Sequence, residues 1–471
     1  MQNNKIFILL PDGIGLRNFA FTNFYEIGIK RGFDIVFWNN TPFQLSELGF
    51  KEIKIHNART HPLTDFLKNA QIKIELSQNI KKSKDYVYKS YLFPQTNKNF
   101  KSIIKKKIVD VLFLLNNSKK GLQKIKKNIT LQERKTKLYF DSLATLEKEK
   151  PSVVFCTNQR AALAIASILA AQDLGIPTVA FIFSWDNLPK GTKIIDTDFY
   201  IVWSEHMKME LKYYYPNIKD EQIFITGTPQ FESHFNKTIL QSKDYFFNEN
   251  KLDNTKKYIC FSGDDVTTSP NDPVYLADTA NAIRILNNKG YNLGIIFRRC
   301  PVDFSNRFDE VLEEFKDIIV SIRPAWNKVG EDWNTIMSTK EDLVLQTNTI
   351  FHTESVINLG SSMVFDYVAH RKPCGFINYD VVNAQYPHWS VKKIYSLIHF
   401  RSMPTENPVF WINSPNEIAN TIEKMLSEDS EKVIENAQLW FEKINQHSPE
   451  LASERIWEAI SKIIKTTDKD L

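Results

Sequence analysis

The chain has 471 residues, 42% of them hydrophobic and 24% charged, with 15 glycines and 4 cysteines. This is the balance of a folded globular protein; it excludes a largely disordered, collagen-like or disulfide-knotted chain, and the length calls for two domains because one core stops growing near ~250–300 residues. The net charge of +5 is uneven: residues 98–128 carry ten lysines and one acid, Asp110, a local sum of +9 that leaves the remainder at −4, which excludes a uniformly basic nucleic-acid binder.

Lys5–Leu10 is an apolar run that reads as a strand. Ended by Pro11 and Asp12, it is shorter than a signal-peptide core of ~7–15 residues, so a cytoplasmic chain is expected. A glycine turn, a helix within 18–31 and a strand at 34–38 follow. Beyond the lysine-rich region come helix 131–149, strand 152–156, helix 160–173, strands 178–183 and 199–203, helix 205–214 and strand 222–226. Residues 1–236 are thus expected to form a first domain with a helical insert at 98–128. The polar stretch 236–256 reads as a linker. The pattern restarts with strands at 257–262, 292–297, 317–322, 355–359 and 373–378, alternating with helices near 273–289, 306–315, 340–350 and 362–370. This gives a second domain over 257–430. Residues 415–465 read as helical throughout, and 431–471 are expected to pack back towards the first domain. Short apolar strands alternating with helices predict α/β architecture with two doubly wound, Rossmann-like sheets. Cys156, Cys260, Cys300 and Cys374 lack partners at metal-ligand spacing and read as buried thiols.

Ligands of such sheets bind beyond the carboxyl ends of the strands, so chemistry is sought in the turns there. Gly360-Ser361-Ser362 ends one strand and opens a helix, offering hydroxyls and first-turn N–H groups to an anion. Asp366, four residues after Ser362, is placed to hold ribose hydroxyls; the plainer reading is a serine cap and a solvated acid. Arg298 and Arg299 end the neighbouring strand and could neutralise a diphosphate without a metal. With the Gly263-Asp264-Asp265 turn, three strand ends of one domain converge on a nucleoside-diphosphate site. In the first domain, Gly13-Ile14-Gly15-Leu16-Arg17-Asn18 lacks the third glycine of a dinucleotide fingerprint, and Asn39-Asn40 stand where an acid would. NAD binding is disfavoured, leaving Asp12, Arg17 and Asn18 as polar groups at a cleft. Ser184-Trp185-Asp186-Asn187-Leu188-Pro189-Lys190-Gly191 offers an indole to stack on a sugar, Asp186 as a general base, and Ser184, Asn187 and Lys190 as acceptor contacts. Alternatively it is a structural turn. Asp196-Thr197-Asp198 precedes its strand, at the wrong end of the sheet for a metal, and reads as a turn. Trp326 or Trp333 could stack a base or pack in a core.

The turn at 184–191, with Val202-Trp203-Ser204-Glu205, Thr226-Gly227-Thr228-Pro229-Gln230-Phe231-Glu232 and the stretches Asn348-Thr349-Ile350 and Ile357-Asn358-Leu359-Gly360-Ser361-Ser362, resembles bacterial GT-B glycosyltransferases of surface-carbohydrate synthesis. The resemblance spans roughly 150–380, and the order of elements is that of a GT-B fold, two lobes facing a central cleft. It implies transfer of a sugar from a nucleotide-diphosphate donor to a glycan or lipid-linked hydroxyl, without a metal or resident cofactor. The donor would be held by Gly263, Arg298, Arg299, Gly360, Ser361, Ser362 and Asp366, with Asp186 or Asp12 as base. The sequence is also similar to CDP-glycerol glycerophosphotransferases, but Arg298-Arg299-Cys300-Pro301 stands where those carry Arg-x-His-Pro, which puts sugar transfer ahead.

Two further readings compete: a sugar-nucleotide epimerase on the same fold, and a catalytically silent binding module. In 98–128, Ile103, Ile104, Ile108, Val111, Leu112 and Leu115 recur at helical spacing among lysines. This suits contact with an anionic membrane, placing the chain at the inner face of the plasma membrane, or equally a solvated lysine face on a core-packed helix.

Overall fold

The computed structural model describes residues 4–92, 100–330, 335–382 and 386–467. Seven strands form the first lobe's sheet: β1 (Lys5–Leu10), β2 (Asp34–Asn39), β3 (Glu52–Lys54), β4 (Val153–Cys156), β5 (Thr178–Phe181), β6 (Phe199–Val202) and β7 (Ile223–Ile225). All pair in parallel, in the order β3-β2-β1-β4-β5-β6-β7. Strands buried on both faces carry unbroken apolar runs, which is why β1 and β4 were legible. Around the sheet lie α1 (Ile14–Phe19), α2 (Asn23–Lys30), α3 (Thr64–Ser83), α4 (Phe100–Asn116), α5 (Lys119–Glu133), α6 (Lys137–Glu149), α7 (Ile165–Asp173) and α8 (Glu205–Tyr214). The helix expected within 18–31 is two helices. The Thr22 hydroxyl donates to the Asn18 carbonyl (2.6 Å) and accepts from the Phe24 N–H, capping α2 and breaking it from α1.

The second lobe begins with α9 (Lys243–Glu249), inside the stretch read as linker. Phe246 and Phe247 anchor it against Tyr258, Ile296 and Ile322. Its sheet comprises β8 (Lys257–Ser262), β9 (Leu293–Arg298), β10 (Ile319–Ile322), β13 (Val356–Asn358), β14 (Cys374–Ile377) and β15 (Phe410–Ile412), ordered β10-β9-β8-β13-β14-β15 and parallel. A small hairpin, β11 (Asn327–Lys328) with β12 (Ile336–Met337), projects from it. The helices are α10 (Asp272–Asn288), α11 (Asp309–Glu314), α12 (Lys340–His352), α13 (Met363–Val368), α14 (Val391–Tyr395), α15 (Ile418–Met425), α16 (Ser430–Ile444) and α17 (Ala452–Thr467). The C-terminal stretch is therefore three helices rather than one run. The very short β3 and β15 carry too few residues for an alternation signal. Among the described residues no helix is long and apolar enough to cross a membrane.

In each sheet the strand order reverses about one pair of parallel neighbours, β1/β4 and β8/β13, and ligands of such sheets bind at these switch points. The lobes meet through their carboxyl ends. Gly13 packs so closely on the β11–β12 hairpin that an added Cβ would lie 2.6 Å from the Ile336 carbonyl oxygen. α17 returns to the first lobe, where Trp457 stacks on Phe24 (4.6 Å) and Phe33 (4.8 Å) and donates to the Phe24 carbonyl.

Candidate active site at the interlobe crevice

At the second sheet's switch point, β13 runs into Gly360-Ser361-Ser362 and then α13. Gly360 has φ +68°, and an added Cβ would lie 2.9 Å from the Phe400 ring and 3.2 Å from Tyr395, so backbone and packing both demand glycine. The Ser361 N–H donates to the Asn358 side-chain oxygen (2.9 Å), which fixes the turn. Gly360, Ser361 and Ser362 remain half-exposed, and among the described residues the Ser362 hydroxyl makes no hydrogen bond. Arg17, on α1 of the opposite lobe, lies in the field of Asp366, Asp342 and Arg298. Burial pulls its pKa below the usual arginine value, and among the described residues it makes no hydrogen bond or ion pair. A half-buried guanidinium that makes no hydrogen bond or ion pair among the described residues is a ready anion ligand.

Several residues assigned to ligands from the sequence are committed internally. Asp366 is 3% exposed and bonds His234 Nε2 at 2.8 Å, so it cannot face a ribose. His234 follows β7, and its Nδ1 meets Nε2 of His370 at 3.1 Å. His370 is pulled down to about 3 by burial and by the neighbouring His234 and Lys372, and stays neutral. All three groups are satisfied when His370 Nε2–H donates to His234 and His234 Nε2–H donates to the carboxylate. This chain ties α13, and with it the Gly-Ser-Ser turn, to the end of the first lobe. Arg298 is 5% exposed and gives two 2.9 Å bonds to Asp342, which also accepts from Trp326 Nε1 (2.6 Å). Gly263 spends its N–H on the Arg298 carbonyl (2.9 Å).

The turn after β5 is likewise structural at its centre. Trp185 is 6% exposed, ringed by Phe365, His399, Phe400 and Trp440 at centroid distances of 4.8–6.2 Å, so it offers no face to a sugar. Burial would raise Asp186, but the paired Lys190 ammonium, His399 and the Ser184 (2.7 Å) and Asn187 (2.8 Å) bonds together outweigh it and hold the carboxyl well below its usual range. Such a carboxylate is a poor base. Asn187 also accepts from Gln159 Nε2 (3.1 Å), and both Asn187 and Asn18 are buried. Asp12, at the first sheet's switch point, differs. It is half-buried, accepts from Asn158 (2.7 Å) and the Ile14 N–H (3.2 Å), and burial raises its pKa despite those bonds. Asp196 pairs with Lys193, and Asp198 accepts from Thr178, as a turn requires.

Two arrangements bring residues named from the sequence, Arg299, Trp326 and Asp264, together with partners that the sequence did not indicate. Arg299, Arg323, Asp303 and Trp326 line a cavity of about 280 Å³ beyond β9 and β10, and Arg299 is held by the Ser305 carbonyl (2.5 Å). Trp333 lies outside the described residues. At the end of β8, Asp264 and Asp272 form a buried pair. The Asp264 N–H donates to Asp272 (2.6 Å) and Asp264 Oδ2 has no partner among the described residues. Burial, with the charges of Asp272 and Asp265, raises Asp264; burial, with the charge of Asp303, raises Asp272 to about 7. Because folding raises these pKa values, the folded state holds a proton that the unfolded chain releases near 3.8. The contribution of Asp272 is full below that pH and is lost as pH rises through about 7, and Asp264, also raised, adds a loss of the same sign. Asp264→Asn is expected to flatten this decline and to gain on the order of 1–3 kcal/mol at pH ~8 in urea unfolding. An unchanged pH profile would show that the pair carries no proton. Among the described residues no group of three or more His, Cys, Asp or Glu is arranged to hold a metal ion.

Two doubly wound lobes facing each other through their carboxyl ends are the GT-B architecture. Solved structures share it at low identity. A UDP-N-acetylglucosamine 2-epimerase matches at TM-score 0.52 and 11% identity, covering 98% of this chain and 95% of that one. A glycosyltransferase from Rickettsia africae matches at TM-score 0.53 and 10% identity, covering 99% and 100%. A variant of the wall teichoic acid polymerase TagF matches at TM-score 0.50 and 11% identity, covering 100% and 90%. No protein-family model and no curated protein matches the sequence.

Proposed function

We propose that the chain is a glycosyltransferase that binds a nucleoside-diphosphate sugar on the second lobe and a hydroxyl acceptor on the first. One observation carries this reading. At the second sheet's switch point a left-handed Gly360 turn presents half-exposed serines, and Arg17, which makes no hydrogen bond or ion pair among the described residues, approaches from the opposing lobe into the field of Asp366. The cavity beside Trp326 lies about two strand spacings away, roughly 10 Å, a distance that a nucleoside diphosphate spans. There the base would stack on an indole oriented by Asp342, with Arg299 beside the ribose or α-phosphate. The acceptor oxygen attacks the anomeric carbon while the bond from that carbon to the diphosphate oxygen breaks. Asp12 takes the acceptor proton, its raised pKa suiting it as a base. Arg17 and the turn receive the charge left on the diphosphate.

A second reading, a sugar-nucleotide epimerase, is favoured by one feature: the Asp264–Asp272 pair puts a protonatable acid at the donor lobe's first strand end. Glycerophosphotransfer is supported less, because Cys300 stands at the motif histidine's position and burial pushes its thiol up to about 12, too high for proton transfer. Calorimetric titration with UDP, CDP, GDP and dTDP tests the shared basis. One nucleotide is expected to bind with a dissociation constant of roughly 1–100 µM, equivalent to about −5.5 to −8 kcal/mol. Binding of none more tightly than millimolar would remove both readings. Conversion of the matching nucleotide sugar with no acceptor present would select the epimerase.

A further inference from the structure

The helix α4 is built inside out for a surface helix. At about 100° per residue, Phe100, Ile103, Ile104, Ile108, Val111, Leu114 and Leu115 fall within one arc of about 140°. All of them are exposed, Leu114 by 74% and Leu115 by 77%. The opposite side is the packed one. Val109 and Asn116 are buried, Leu112 and Phe113 lean on the main core, and Lys73 of α3 pairs with Asp110 (2.5 Å) and lies over the Phe113 ring. An ordinary amphipathic helix turns its apolar stripe inward and its charges out. Here an inner stripe suffices for docking on α3 and α5, and a second, wider apolar stripe faces away. Among the described residues nothing covers it.

The lysines around that stripe say what does. Of the nine in α4 and α5, Lys105 pairs with Asp65 and Lys126 with Glu75. The other seven, Lys101, Lys106, Lys107, Lys119, Lys120, Lys124 and Lys127, make no ion pair among the described residues. An exposed apolar stripe with Lys107 inside it and further unpaired cations beside it matches a bilayer interface, where apolar side chains enter the acyl boundary and ammonium groups extend to lipid phosphates. A protein partner's apolar face would leave those cations desolvated or unanswered.

We infer that α4, with the flanking lysines of α5, is an interfacial helix that docks the chain on an anionic lipid bilayer, lying in the plane of the surface rather than crossing it. The inference is independent of the nucleotide chemistry.

Sedimentation with vesicles tests it. The full chain is expected to partition onto phosphatidylglycerol-containing vesicles at least about tenfold better than onto pure phosphatidylcholine, since each lysine near an anionic surface adds roughly fivefold. Binding should drop about tenfold or more between low salt and about 0.5 M salt. Leu114→Glu/Leu115→Glu and Lys106→Glu/Lys107→Glu each abolish it with thermal unfolding unchanged, because these side chains have no packing to lose. A chain that stays in the supernatant at low salt, or binds both vesicles equally, overturns the inference. So does a concentration-dependent dimer that Leu114→Glu/Leu115→Glu dissociates in the absence of vesicle binding, which would give the stripe to a second copy.

Discussion

Trp185→Ala is expected to cost about 3–5 kcal/mol in urea unfolding. The indole is enclosed where the lobes join, edge-on to Phe365 of α13 (5.3 Å), Trp440 of α16 (5.8 Å) and His399 (4.8 Å). Phe365 itself packs on Trp440 at 4.8 Å and on Phe441 at 5.8 Å, so truncation opens a cavity in a cluster shared by both lobes. A sugar-stacking tryptophan behaves oppositely: its loss weakens acceptor binding and leaves stability alone. Unchanged unfolding with weaker acceptor affinity would therefore restore Trp185 to the acceptor site.

Arg17→Ala is expected to weaken nucleoside-diphosphate binding by about ten- to a hundredfold, the value of a charge-assisted hydrogen bond to phosphate. Stability should hold or rise slightly, because a half-buried cation that makes no hydrogen bond or ion pair among the described residues is removed. Arg298→Ala makes the contrast. It strands Asp342 in a buried site and should destabilise by about 3–5 kcal/mol. Calorimetry and urea unfolding on the two variants separate the roles. If Arg17→Ala destabilised the fold and left affinity intact, Arg17 would be a strut between lobes.

Both sheets were legible because parallel strands buried on two faces leave continuous apolar runs, and the glycine turns mark their carboxyl ends. The Gly360 turn could be found for the same reason. What the sequence could not show is which polar residues are already committed to internal partners, wholly or, as for Arg298 with its buried Nη1 left unpartnered among the described residues, in part. Asp366, Arg298, Asn187 and Asp186 are the residue types a ligand site uses, and they are equally the types that lock a buried interface. The deciding partner of Asp366 is His234, 132 residues away, and that of Arg298 is Asp342, 44 away. Local pattern carries no information about such pairings. Asp186 is the exception, since Lys190 stands one helical turn ahead, and that spacing was a readable hint of an internal ion pair. The outward apolar arc of α4 was also written in the spacing of its isoleucines and leucines, but which face docks on the protein depends on α3 and α5.

The central claim is that the serine turn after β13 receives a diphosphate. Titrating the best-binding nucleoside diphosphate into the native chain and into Ser361→Ala/Ser362→Ala measures it directly. Binding is expected to be at least about tenfold weaker in the variant, with the corresponding nucleoside affected far less. Equal affinity of both chains for the diphosphate would contradict it.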